Sequence, residues 1–402
     1  MPQNDSLRKA SPAFQLMIAS SWLAPDSWRH IQDNAVQRAC DAHPNWTEYL
    51  QLIDRHRTPA SSWAVLKRTP RVQVPERVNR ELQRRSDLCR LQAMLHLQRL
   101  AEVLKPLNEA GIPVMPLKGP LLSLALYGDA VLRHSKDLDL LVPQGEIRRA
   151  QECLETVGWR LGVEYFPLSP RQWEANFRHE LHVGYADPRH GCELELHWRW
   201  YSSQSTEHFW ARARTTELPG FSYQTMSNAD LAIYLCSHGG SHQWFRAKWL
   251  GDLARLHCNG QLDWTDALAQ ARTMGEERSV FLCLQLLSEC YDLTFPNVRD
   301  GLRPLVRTAV RALTARSEPT NWNSWTRLKK GVQKYGYNRQ LWPNRSWWSW
   351  FTYRRFDFKV LRLPDNLFWL YTPLRPLLWL WQRPRIELRN RITDFRKRIR
   401  PP

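Results

Sequence analysis

Residues 137–142 read DLDLLV, the most informative segment of the 402-residue chain. Successive side chains of a β-strand point to opposite faces, so Asp137 and Asp139 share one face while Leu138 and Leu140 lie on the other. Two carboxylates held this close repel each other unless a cation lies between them. A hard divalent cation suits such a pair, with Mg²⁺ the best fit and Mn²⁺ the substitute. The pattern predicts a buried strand with a metal site; a solvated edge strand is the alternative.

A second segment, Lys118-Gly119, lies between a short extended run at 112–117 and a predicted helix at 121–127. Glycine at such a turn lets backbone N–H groups approach a phosphate at the helix N-terminus, and lysine supplies a point charge for it. A simple strand-to-helix turn is the alternative. Arg133 has two interpretations of equal weight, a contact with phosphate or an ion pair with Asp137.

A predicted β-hairpin, formed by residues 179–187 and 191–200, carries the candidates for a third carboxylate. Glu193 and Glu195 alternate along its second arm and therefore share a face. Three acids on neighbouring strands that bind two Mg²⁺ ions are a common arrangement for nucleotidyl transfer. The residues alone leave both glutamates as candidates.

Taken together, these motifs resemble the bacterial uncharacterised nucleotidyltransferase family, a branch of the polymerase-beta-like nucleotidyltransferase superfamily. The resemblance covers roughly residues 15–300. It rests on Leu-Lys-Gly at 117–119, Tyr-Gly-Asp at 127–129, Arg133, Asp-x-Asp at 137–139 and Glu-Leu-His-Trp at 195–198. The acid-Leu-His-Trp pattern selects Glu195 over Glu193 as the third acid. The chain departs from the wider superfamily by having Lys118-Gly119 where Gly-Ser is usual.

The resemblance implies Mg²⁺- or Mn²⁺-dependent transfer of a nucleoside monophosphate from a nucleoside triphosphate to an unidentified acceptor hydroxyl or phosphate. Asp137, Asp139 and Glu195 would be the catalytic metal ligands, with Glu195 also a candidate general base. Lys118, Gly119 and Arg133 would hold the phosphates. Members of the family often accompany genes for polysaccharide or natural-product biosynthesis. Rival interpretations are a non-catalytic scaffold with the same fold and an enzyme that transfers a different phosphoryl group.

A later helical segment is also similar to the family, through His238, Trp244, Arg246, Trp249 and Asp252. His238 has three interpretations: a contact with the nucleotide or acceptor, a core histidine, or a zinc ligand together with His242 four residues later. Asp252 is expected to pair with Arg246, Arg255 or a backbone amide.

Charge is distributed unevenly along the chain. Residues 326–402 contain 19 Lys+Arg and 4 Asp+Glu, a net charge of +15, whereas the other 325 residues have a net charge of only +3. Nine tryptophans lie between Trp322 and Trp381. Interleaved Trp and Arg suit an anionic membrane surface, nucleic acid or a packed helical appendage, and all three interpretations remain open.

The remaining features bound the architecture. The eight cysteines include no Cys-x-x-Cys pair, which favours reduced thiols in a cytoplasmic protein. Neither a secretory signal nor a membrane span is apparent in the sequence. Peripheral attachment to the inner membrane face is compatible with a cytoplasmic protein. We predict an α+β fold, a small mixed β-sheet core embedded between mostly α-helical regions. The predicted segments are 1–110 (helical), 111–225 (nucleotidyltransferase core), 226–320 (helical) and 321–402 (basic, Trp/Arg-rich).

Overall fold

The computed structural model describes residues 7, 9–162, 168–200, 206–295, 302–315, 333–334, 336–343 and 355–378. Its internal contacts group the chain into two compact units. The first contains residues 1–161 and 184–318, and the second contains residues 162–183 and 319–402. The four-segment division made from the sequence stays a prediction.

Five helices of the described residues precede the sheet, in agreement with the predicted helical flank. They are α1 (Pro12–Ser20), α2 (Asp26–Asp41), α3 (Trp46–His56), α4 (Pro59–Arg68) and α5 (Glu76–Glu109). Side-chain caps begin two of them: Ser11 accepts a hydrogen bond from a backbone N–H of α1, and Asn45 does the same for α3. The C-terminal half of α5 buries Leu100, Val103 and Leu107, which recur at helical spacing.

The sheet is mixed and has five strands in the order β1-β2-β5-β4-β3. Its strands are β1 (Met115–Pro116), β2 (Asp137–Leu141), β3 (Arg160–Leu161), β4 (His182–Ala186) and β5 (Glu193–His197). Strand β1 is antiparallel to β2, β2 is parallel to β5, and β3 is antiparallel to β4. Helices α6 (Pro120–Tyr127), α7 (Ile147–Thr156) and α8 (Pro170–His179) lie along the chain between strands. The predicted α+β fold is therefore confirmed.

Strand β2 lies inside the sheet, between β1 and β5. Its apolar side chains are buried, with Leu138 2% exposed and Leu140 fully inaccessible. Burying a leucine stabilises the folded chain by about 1.5–3 kcal/mol, so this face fixes the register of the strand. The alternative of a solvated edge strand is wrong.

The turn between β4 and β5 is built around Asp187. Its backbone N–H donates to the carbonyl of Cys192 over 2.8 Å, and Gly191 adopts a left-handed φ of +68°. The buried carboxylate of Asp187 contacts Arg99 Nε at 2.9 Å and His190 Nδ1 at 2.8 Å. These contacts anchor the hairpin that carries Glu195 onto helix α5.

Helices dominate the first unit again after a small second sheet. The sheet pairs β6 (Arg214–Leu218) with β7 (Phe221–Thr225) in antiparallel fashion and follows the short α9 (Glu207–Ala211). The helices are α10 (Asn228–Ser241), α11 (Ala247–Cys258), α12 (Trp264–Thr273), α13 (Glu277–Tyr291) and α14 (Arg303–Thr314). No helix among the described residues combines the length and apolar character needed to cross a membrane.

The second unit has its own small core. Helix α8 begins with a capping box formed by Ser169 and Gln172. Gln172 Nε2 donates to the hydroxyl of Tyr371 over 3.2 Å, and the Tyr371 ring packs edge-on against Phe358 of α15 (Arg355–Val360). A 3₁₀ turn, Asp365–Leu370, completes the described segment before a helical stretch at 371–378. Part of the aromatic content of the basic segment is therefore buried in this unit.

Candidate active site

The parallel pairing of β2 and β5 aligns the predicted acids. Asp137 lies opposite Glu193, Asp139 opposite Glu195, and Leu141 opposite His197. Paired residues of adjacent strands point to the same face of a sheet, so the carboxylates of Asp137, Asp139 and Glu195 belong to one face. Strands distant in sequence are thus brought together by pairing, as the sequence predicted.

Asp139 is the centre of this face and is only 2% exposed. Its Oδ1 lies 3.0 Å from Lys118 Nζ and 3.3 Å from His197 Nε2. Among the described residues, neither of its carboxylate oxygens accepts a hydrogen bond of ordinary geometry. The carboxylate is therefore held by opposite charge, and its oxygens remain suited to coordinating a cation.

The two aspartates have opposite pKa shifts. Burial raises the pKa of Asp137, and the negative charge of Asp139 raises it further. Burial alone would also raise the pKa of Asp139, but the ammonium of Lys118 and the imidazole of His197 hold it well below its usual value. A divalent cation between the two carboxylates would relieve their mutual repulsion.

The two candidate glutamates have different surroundings. Glu195 Oε2 lies 3.2 Å from His197 Nε2, and its side chain is about one third exposed. Glu193 is more exposed and forms an ion pair with Lys136. Only Glu195 therefore shares a partner with Asp139. His197 was not singled out by sequence reasoning, although its position two residues after Glu195 places it on the same face.

His197 connects the two acids. Burial alone would lower its pKa, but the contacts of the ring with the carboxylates of Asp139 and Glu195 raise it. A positively charged imidazole between two carboxylates offsets part of their repulsion. Asp137, Asp139 and Glu195 together supply the oxygen ligands that Mg²⁺ or Mn²⁺ prefers. The Asp139 oxygens, which accept no hydrogen bond of ordinary geometry among the described residues, fit that use.

The Lys118-Gly119 turn occurs where the sequence placed it, between β1 and α6. Gly119 has φ +85° and ψ −154°, a conformation that residues with a Cβ rarely adopt. Glycine is therefore needed for the shape of this turn. The turn directs Lys118 to Asp139, so in this structure the lysine is the counter-ion of a predicted metal ligand.

Arg133 pairs with Asp252 and not with Asp137. The interpretation of Arg133 as the ion-pair partner of Asp137 is therefore wrong. The Nε of Arg133 lies 2.9 Å from both carboxylate oxygens of Asp252, and both side chains are buried. Asp252 was expected to pair with Arg246, Arg255 or a backbone amide. Its partner in the structure is Arg133. The reason is topological: helix α11 packs its buried face, which carries Asp252, against the loop that leads into β2.

His238 is buried in α10, and its ring packs against His242 and Trp249 at centroid distances of 4.8 and 5.2 Å. Burial, followed by the charge of Lys118, lowers the pKa of His238 well below its usual value. Among the described residues, neither histidine belongs to a cluster of three side chains able to hold a metal. This environment is typical of a neutral core histidine. The ring is also close enough to Lys118 for the charge of the ammonium to lower the pKa of His238.

Lys248 is a site residue that sequence reasoning missed. It lies in the first turn of α11, and its Nζ donates to the carbonyl of His134 over 3.1 Å. Burial lowers its pKa well below the usual value, and the charges of Arg133 and Arg57 lower it further. No local signal marks this lysine, because its cationic neighbours come from distant parts of the chain.

Comparison with known proteins identifies the family of this chain. Neither the curated proteins nor the solved structures contain a match to this chain. The model of the family described as "Uncharacterised nucleotidyltransferase" matches residues 42–292, which is more than half of the chain and includes every acid of the site. The match supports a nucleotidyltransferase-type activity, and the chain belongs to the uncharacterised nucleotidyltransferase family.

Proposed function

We propose that this protein is a Mg²⁺- or Mn²⁺-dependent nucleotidyltransferase that moves a nucleoside monophosphate from a nucleoside triphosphate to an acceptor hydroxyl or phosphate. The observation that carries the proposal is the buried Asp139, which lies opposite Glu195 and two residues from Asp137 on one face of two parallel strands. Buried strands do not hold several carboxylates together without compensation.

In the proposed reaction, an acceptor oxygen attacks the α-phosphorus. The bond from the α-phosphorus to the β-bridging oxygen breaks, and pyrophosphate leaves with the electron pair. Asp137, Asp139 and Glu195 would hold the metal ions. When bound there, the ions would supply charge neutralisation for the triphosphate and a lower pKa for the acceptor hydroxyl. Glu195, whose side chain is about one third exposed, also accepts the acceptor's proton, either directly or through water.

The remaining predicted residues act on the phosphates and the nucleotide. Lys118, which contacts Asp139 in this structure, would supply a point charge for the triphosphate. Gly119 lets the backbone of the turn approach a phosphate oxygen at the start of α6. Arg133, paired with Asp252, supplies positive charge in the loop before β2, and His238 contacts the nucleotide or acceptor as a neutral ring.

The position of the ³²P label in the nucleoside triphosphate distinguishes nucleotidyl transfer from other phosphoryl transfers. The protein is incubated with Mg²⁺ or Mn²⁺, each of the four nucleoside triphosphates and an acceptor pool from a cell extract. We expect label from an α-³²P nucleotide to enter a product, while label from the γ-³²P nucleotide appears in pyrophosphate. Transfer of γ-label into the product would instead show a different phosphoryl transfer. No metal-dependent transfer with any nucleotide would favour the non-catalytic scaffold.

The acceptor class is the least constrained part of the proposal. The resemblance to the family points to polysaccharide or natural-product biosynthesis. We propose an acceptor from that chemistry, with a free hydroxyl or phosphate. Fractionation of the extract that supports α-label transfer identifies it.

A second role, for the second unit, follows from its surface. Leu367, Trp369 and Leu377 are 38%, 64% and 63% exposed. These apolar side chains lie within the basic segment 326–402, whose net charge is +15. Exposed apolar residues beside cations suit the interface of an anionic membrane. We therefore propose that the protein works in the cytoplasm and attaches reversibly to the inner membrane face.

Vesicle co-sedimentation tests this attachment. We expect the full chain to pellet with anionic vesicles at low salt and to be released by high salt. Leu377→Ser should weaken binding by about 10- to 100-fold, since burying a leucine is worth roughly 1.5–3 kcal/mol. Leu91→Ser is the matched control, because Leu91 is an equally exposed leucine of the first unit at 64%. Equal binding by both variants, or salt release of nucleic acid in place of vesicle binding, would contradict the proposal.

A further inference from the structure

Lys248 is a half-buried cation that has no carboxylate partner among the described residues. Its Nζ donates to the carbonyl of His134 over 3.1 Å, and among the described residues no carboxylate forms an ion pair with it. Asp252, one turn further along α11, is already engaged by Arg133. Burying a charge in this way is costly unless an opposite charge compensates it.

Other cations surround Lys248. The charges of Arg57, Arg133 and Arg246 all act on it. Arg57 ends helix α3 in a left-handed conformation, and Arg246 Nη1 donates to the backbone carbonyl of Arg55 over 3.1 Å. Four cationic side chains from three parts of the chain therefore act on one another, and the carboxylates whose charges reach Lys248 are those of Asp252 and Asp137. Such an excess of positive charge is typical of sites that bind a multiply charged anion.

One hydrogen-bond donor in this cluster has no acceptor. Arg133 uses Nε for Asp252, whereas its Nη2 is buried and has no partner among the described residues. Arg133 itself is only 5% exposed. Buried donors in folded proteins are nearly always satisfied, so an orphaned guanidinium nitrogen indicates a missing acceptor.

The cluster adjoins the predicted metal ligands. Arg133 and His134 lie in the loop that leads directly into β2, and Ser135 Oγ donates to the backbone carbonyl of Asp137 over 2.7 Å. Lys248 is therefore hydrogen-bonded to the loop at the amino end of β2, the strand that carries both aspartates. An anion held by Lys248 would lie beside a metal ion held by Asp137 and Asp139.

We propose that Lys248, with the free nitrogen of Arg133, binds the β- and γ-phosphates of the nucleoside triphosphate. The inference rests on the proposed function, because that reaction supplies the polyphosphate. The ammonium contributes a point charge, and the guanidinium contributes a charge-assisted hydrogen bond. When the bond to the α-phosphorus breaks, both groups neutralise the departing pyrophosphate.

Pyrophosphate with Mg²⁺ is the probe, because it carries no base and needs no acceptor. Calorimetric titration compares the wild-type protein with Lys248→Met, Lys248→Arg and Lys105→Met, in which Lys105 is an exposed lysine of α5. We expect Lys248→Met to weaken binding about 10- to 100-fold, while Lys248→Arg retains most of the affinity and Lys105→Met retains all of it. Thermal unfolding without ligand gives the second readout. In that measurement, Lys248→Met should unfold at a higher temperature, because it removes a half-buried charge that its cationic neighbours repel.

Each outcome assigns a role. Equal binding by Lys248→Met and wild type would overturn the inference and leave the proposed reaction intact. Loss of both stability and binding in Lys248→Met, with no rescue by Lys248→Arg, would make Lys248 a structural residue and also overturn the inference. If the wild-type protein transfers α-label but does not bind pyrophosphate, only the inference fails; if it transfers no label, the proposed function fails independently.

Discussion

Asp139→Asn should lower α-label transfer by about 10³-fold or more, because metal ligation supplies several kcal/mol of transition-state stabilisation. Asparagine keeps the shape of the side chain but removes the negative charge. The fully buried oxygen that contacts Lys118 and His197 would then no longer attract a divalent cation. The measurement is the initial rate of label transfer at saturating Mg²⁺, with circular dichroism to verify folding.

Glu193→Gln is the matched control for that loss. Glu193 lies on the same face of the sheet and directly opposite Asp137, but it is exposed and paired with Lys136. We expect this variant to keep nearly all of the transfer rate, whereas Glu195→Gln should lose most of it. If Glu193→Gln fell as far as Glu195→Gln, the assignment of the third acid would be wrong.

Asp252→Asn should lower the free energy of unfolding by about 3–5 kcal/mol, because it leaves the guanidinium of Arg133 buried without a counter-ion. Both carboxylate oxygens of Asp252 lie 2.9 Å from Arg133 Nε, and burial shields the pair from water. The pair joins α11 to the loop before β2, so its loss also loosens the strand that carries the predicted metal ligands. Urea denaturation measures the change.

Two further variants separate this pair from charge loss in general. Glu76→Gln removes one partner of the exposed Arg80–Glu76 pair, whose atoms lie 3.7 Å apart, and should cost at most about 1 kcal/mol. The double variant Arg133→Met with Asp252→Leu should recover much of the stability lost in Asp252→Asn, because apolar replacement of a whole buried pair is often neutral. A double variant less stable than Asp252→Asn would show that the ion pair itself is stabilising.

The local parts of the site could be predicted from sequence. The two-residue period of a strand places Asp137 beside Asp139 without reference to any other residue. Gly119 at a strand-to-helix turn has a similarly local cause, confirmed by its φ of +85°. The choice of Glu195 required the family pattern, because periodicity alone treats it and Glu193 alike.

Partners set by tertiary packing could not be predicted. Arg133 and Asp252 are 119 residues apart, and nothing in either local sequence indicates which arginine meets which aspartate. Lys248 was missed for the same reason, since its significance depends on cations from α3 and from the loop before β2. The second unit combines residues 162–183 with residues 319–402, a pairing that no composition boundary reveals.

The central claim, that Asp137 and Asp139 bind the metal ions of a nucleotidyl transfer, is tested most directly by Mn²⁺ binding measured with electron paramagnetic resonance. The titration is made with and without a nucleoside triphosphate for the wild-type protein, Asp137→Asn, Asp139→Asn and Glu193→Gln. We expect wild type and Glu193→Gln to bind Mn²⁺ more tightly when the triphosphate is present, and both aspartate variants to lose that binding. Equal Mn²⁺ binding by the wild-type protein and Asp139→Asn would contradict the claim.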